Sequence, residues 1–113
     1  MNPPKIYEPD PEIIKTYTNI DEINNWVTIR KEKKEIPIYV KARHTETVLF
    51  WLVPTGTATW KERQLIGYDI DGTDGWSLKW NISEQILHHH IIVQVLGITP
   101  ISSDSINVHK EYE

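Results

Sequence analysis

Between positions 46 and 54 the chain reads Glu-Thr-Val-Leu-Phe-Trp-Leu-Val-Pro, and no solvent face is left to it. Side chains alternate across a strand, so Val48, Phe50 and Leu52 share one face while Leu49, Trp51 and Val53 share the other. The run is short, and the turn signal Pro54-Thr55-Gly56-Thr57 ends it. Such a strand is either central and covered on both sides, or keeps one side for a partner. The row Leu49, Trp51, Val53 can be covered by the N-terminal segment, by the connection 54–62 carrying Trp60, or by a second molecule.

The rest of the chain supplies matching layers. Ile36, Ile38, Val40 and Ala42 alternate with Pro37, Tyr39, Lys41 and Arg43, which predicts a half-buried strand. Trp76, Leu78 and Trp80 alternate with Ser77, Lys79 and Asn81, so this strand turns two of the five tryptophans inward. Positions 12–18 are rich in β-formers and 26–30 form a further short extended piece; both suit edge strands. Polar residues separate them. The alternative there is a helical turn around Ile20-Asp21-Glu22-Ile23 capped by Asn19, although so short a run makes no stable helix unaided. The charge run 30–35 predicts a solvated loop, and extended character returns at 60–68, 87–96 and 101–108.

These segments amount to about seven short strands separated by turn signals, the pattern of an all-β sandwich of two antiparallel sheets. The predicted core is Val40, Val48, Phe50, Leu52, Ile66, Trp76, Leu78, Trp80, Ile91, Val93 and Val95. With 113 residues there is room for one domain, read as 12–113. Pro3, Pro4, Pro9 and Pro11 make 1–11 an extended leader. Twelve basic against sixteen acidic residues leave a net charge of −4, so no cationic field attracts nucleic acid or anionic lipid. The polar N-terminus carries no secretory signal core, and no apolar stretch approaches the ~20 residues of a membrane span. A soluble product is expected, its location left open.

The order of the strand motifs resembles the bacterial immunoglobulin-like repeats. That family carries Val-x-Phe-Tyr-Val, then Leu-Ile-Gly-x-Asp, then Tyr-Ser-Val-x-Trp, then Tyr-x-Ile-x-Val-x-Ala. This chain reads Val48-Leu49-Phe50-Trp51-Leu52, then Leu65-Ile66-Gly67-Tyr68-Asp69, then Trp76-Ser77-Leu78-Lys79-Trp80-Asn81, then His89-His90-Ile91-Ile92-Val93-Gln94-Val95. The likeness covers roughly residues 36–108. It departs at 54–62, longer than the family's hairpin, and at His89, where the family has tyrosine. The resemblance implies an immunoglobulin-like sandwich and an extracellular or cell-surface setting. Its members in extracellular enzymes, adhesins and phage particles mostly space, display or bind rather than catalyse. A small stand-alone protein that regulates a partner is the alternative.

Candidate chemistry is sparse. On a strand His88 and His90 face one way and His89 the other, so the triple histidine offers at most two ligands on one side; His44, His109 or a carboxylate would have to complete a zinc site. Asp69, Asp71 and Asp74 superficially resemble half of a calcium loop. Thr73 and Trp80 stand where the EF-hand register needs its fifth and twelfth ligands, so a hairpin loop is the simpler reading. No tight metal site and no cofactor are expected. Zero cysteines and the lack of Gly-x-Ser-x-Gly, Walker or Rossmann motifs leave catalysis without a signature. Five tryptophans and five tyrosines exceed the needs of a core this size. Trp51, Trp60, Tyr39 and Tyr68 are the candidates for an aromatic binding face, its partner a protein or cell-wall glycan, with a homodimer through Trp51 as a further expectation.

Overall fold

The structure is a computed structural model and describes residues 10–56, 59–82, 87–97 and 101–111. Its strands are β1 Glu12–Thr18, β2 Val27–Ile29, β3 Glu35–Arg43, β4 Thr47–Pro54, β5 Gln64–Asp69, β6 Trp76–Asn81, β7 His88–Leu96 and β8 Ile101–Lys110. They form a three-stranded sheet, β1-β3-β6, and a five-stranded sheet, β2-β8-β7-β4-β5. Neighbours pair antiparallel except at β2, which runs parallel to β8 through Val27–Val108, Thr28–His109 and Ile29–Lys110. This is an all-β sandwich of two sheets, β1 forming one edge of the three-stranded sheet and β2 one edge of the five-stranded sheet.

Period-2 patterning explains which faces meet. The inward rows are Ile36, Ile38 and Val40 of β3, Val48, Phe50 and Leu52 of β4, Ile91, Val93 and Val95 of β7, and Ile106 and Val108 of β8, all buried in one cluster with Trp80. Of the predicted core, Ile66, Trp76 and Leu78 are only partly buried and pack against that cluster from the open edge where β5 approaches β6. At this edge Gly67 lies under Leu78: a β-carbon on Gly67 would stand 2.5 Å from the Leu78 Cδ1. Val27, Ile29, Ile82 and Leu87 complete the core from short segments with little alternation of their own.

The connection between β1 and β2 follows the reading as polar breakers rather than its helical alternative, and one segment differs from the sequence reading. Residues 19–26 contain no helical turn. Ile23 and Trp26 instead exchange two backbone hydrogen bonds of 2.9 and 3.0 Å around Asn24 and Asn25, at φ 52° and 67°. Asparagine tolerates this left-handed region, and two such residues in succession make a tight turn that redirects the chain from β1 to β2. Strand character at 60–68 begins only at Gln64, because Trp60–Glu62 forms a 3-10 turn. No helix among the described residues is long and apolar enough to cross a membrane.

Candidate binding face

The outer row of β4 organises the five-stranded sheet's exposed face. Directly opposite residues of antiparallel strands point to the same side, so β7 adds Gln94, Ile92 and His90 beside Leu49, Trp51 and Val53. From β5, Tyr68 lies opposite Leu49 and Leu65 opposite Trp51, the register shifting between Phe50 and Trp51. Trp51 is half-buried; its indole Nε1 donates to Gln94 Oε1 at 2.7 Å. Val53 is 2% exposed yet stands outside the inter-sheet core, so it is covered from the outer side.

The long connection supplies cover on that side. Thr59 Oγ1 donates to the Pro54 carbonyl at 2.7 Å, turning the chain back over the sheet, and the edge of the Trp60 ring meets Trp51 at 5.8 Å between centroids. Arg63 follows, its Nη1 donating to the Trp60 carbonyl at 3.2 Å. Its guanidinium lies 5.0 Å from the Trp51 ring and 4.5 Å from the Trp60 ring. A cation held over two indoles is attracted by both ring quadrupoles. Cover is incomplete: Trp60, Leu65 and Tyr68 remain 38%, 46% and 61% exposed.

Trp51, Trp60 and Tyr68 therefore share one face. Tyr39 does not. It points outward from the three-stranded sheet, where its ring meets Tyr17 at 5.2 Å. Sequence reasoning missed Arg63, Gln94 and Leu65. The spacing Trp60-x-x-Arg63 and a lone glutamine in an apolar strand were the available signals.

The histidines divide as alternation requires, with His88 and His90 outward and His89 inward. His90 Nδ1 is hydrogen-bonded to Asn107 Oδ1, and Asn107 Nδ2 donates to the Asn25 carbonyl at 3.0 Å. His88 stacks on Trp26 with 4.5 Å between ring centroids, and its Nδ1 stands 3.2 Å from the Nδ1 of His109 across the β7–β8 ladder. The His88 backbone N–H donates to His89 Nδ1 at 2.9 Å. Burial holds the His89 pKa below the ordinary imidazole value, and positive charge on His88 and His90 adds to the effect. His44 sits apart in the β3–β4 turn at φ 55°.

Two of the three aspartates bond within their own loop. Asp69 accepts from the Asp71 and Ser77 amides, each at 3.0 Å. Asp71 accepts from the Thr73 amide at 3.0 Å and hydroxyl at 2.7 Å, bonds that hold its carboxyl pKa below the usual value. Asp74 is exposed in the turn before Gly75. Among the described residues no group of three or more His, Asp or Glu side chains is placed to hold a metal ion. No family model, curated protein or solved structure matches the chain.

Proposed function

We propose that this chain is a non-catalytic binding module of the bacterial immunoglobulin-like kind, working in a surface, secreted or phage assembly and docking a protein through the outer β4–β5 face. The observation that carries this reading is the Trp51–Arg63–Trp60 assembly beside exposed Leu65 and Tyr68. Tryptophan, tyrosine and arginine are the side chains that dominate protein interfaces, because each offers a large, stiff contact area together with a polar handle. Holding the rings in place before contact lowers the ordering cost on binding. A glycan, which also stacks on indole faces, is the competing ligand class, and a spacer would use neither.

Photo-crosslinking separates these. A benzoyl-phenylalanine replacing Trp60 is compared with one replacing Tyr39 on the opposite sheet, in extract and surface fractions of the source cells. A discrete protein adduct from position 60 and none from position 39 supports the reading, a second copy of the chain being one such adduct. Equal labelling from both positions, no adduct at all, or saturable quenching of tryptophan emission by cell-wall glycan fragments in its place overturns it.

A further inference from the structure

Away from the aromatic assembly, on β7 and β8, the same sheet carries a second pair of side chains with defined chemistry. His88 and His109 are directly opposite in the ladder, and their Nδ1 atoms are 3.2 Å apart. Two imidazole nitrogens bound to one zinc at about 2.0–2.1 Å with a tetrahedral angle stand about 3.3 Å from each other. In a square-planar arrangement with adjacent ligands the separation is about 2.9 Å. The observed spacing falls between these two values. We propose that His88 and His109 form a two-histidine chelate for a late first-row divalent cation, zinc, nickel or copper, whose remaining positions are filled by water.

The surroundings suit that role. A cation bridging the two Nδ1 atoms takes the place of the contact they make with each other. His88 is held from the other side by Trp26, stacked at 4.5 Å and 14° between planes, which fixes the plane of that ligand. His90 is not the second ligand. It belongs to the Asn107 and Asn25 network two rungs along. The choice of cation follows from ligand softness: neutral imidazole suits copper, nickel and zinc, whereas magnesium and calcium require oxygen. This inference is independent of the aromatic face, since no residue is common to both.

The test uses the untagged full chain and the metal chlorides alone. Calorimetric titration with zinc, nickel and copper is expected to show one site per chain, with no binding of magnesium or calcium. His88→Gln and His109→Gln each weaken the affinity by about tenfold or more, while His90→Gln and His44→Gln leave it within about threefold. On the unaltered chain, zinc moves the ring 15N resonances of His88 and His109 together, a reading that depends on no variant folding. No site for any of the three ions overturns the proposal. So does affinity kept in both His88→Gln and His109→Gln, or ring shifts confined to other histidines.

Discussion

The indole of Trp51 and the amide of Gln94 are joined across β4 and β7 by a 2.7 Å hydrogen bond, a polar link on an otherwise apolar stretch of the sheet's outer face. The bond fixes the indole while leaving part of the ring open to solvent. Gln94→Ala is expected to lower stability by about 0.5–1.5 kcal/mol, the usual net loss for one such bond. Urea denaturation measures that cost. Unaltered stability together with an unaltered tryptophan emission spectrum would show that the bond holds nothing.

Two tryptophans of the same chain should respond unequally to truncation. Trp80 is 4% exposed within the inter-sheet core, so Trp80→Ala is expected to cost about 3–5 kcal/mol. Trp60, 38% exposed on the outer side and held by Trp51 and Arg63, should cost only about 0.5–1.5 kcal/mol when replaced by alanine. Thermal denaturation of the pair checks the contrast. Equal losses would mean that the connection carrying Trp60 is part of the core.

Gly97 ends β7 where no side chain fits. A β-carbon there would lie 2.7 Å from the His44 carbonyl oxygen and 3.3 Å from the Pro11 ring. Because a backbone oxygen cannot swing aside like a side-chain tip, Gly97→Ala is expected to destabilise by about 1–3 kcal/mol. Denaturant midpoints of Gly97→Ala and Gly67→Ala compare the two cases. The Gly67 variant meets the Leu78 side chain, which can shift where a backbone oxygen cannot, and should lose less.

The tight turn at Asn24 and Asn25 offers a gain. Asn25 sits at φ 67°, where glycine carries no steric penalty, and Asn-Gly is the favoured pair for such turns. Asn25→Gly should raise stability by a few tenths to about 1 kcal/mol, the turn preference outweighing the added freedom of the unfolded chain. A lower melting temperature would contradict this.

His89 gives stability a defined pH slope. Its folded pKa is depressed by burial and then by the neighbouring imidazoles, so the unfolded chain takes up the proton first as pH falls. Stability is therefore full above the unfolded value of about 6.5 and falls as pH drops through the folded one. His89→Gln is expected to flatten the profile of melting temperature against pH below about 6.5. An equally steep slope in the variant would place the titrating group elsewhere.

How much of this could be read in the sequence depends on the range of the interaction. Alternation at Ile36, Ile38 and Val40 and at Val48, Phe50 and Leu52 is a property of one strand, and it identified both the strand and its buried face. Which sheet a strand joins is a property of the whole chain. Tyr39 and Trp51 both point away from the core, yet β3 and β4 belong to different sheets, so the two rings face opposite directions. The approach of His88 to His109 arises from a register between strands 21 positions apart, which no local spacing reveals. Val53 follows the outer row by alternation, but its burial, at 2% exposed, is not a property of its own strand and so is not legible there.

The parallel pairing of β2 with β8 also determines how the sandwich bears load. When the chain is drawn in opposite directions from its N-terminal and C-terminal sides, two parallel strands slide along one another rather than peeling apart. The rungs at Val27–Val108, Thr28–His109 and Ile29–Lys110 are then stretched together, and all of them must yield before β2 leaves the sheet. An antiparallel edge in that position would open one rung at a time, like a zip. Three residues of an early strand thus place this edge of the sheet in shear rather than in sequential opening.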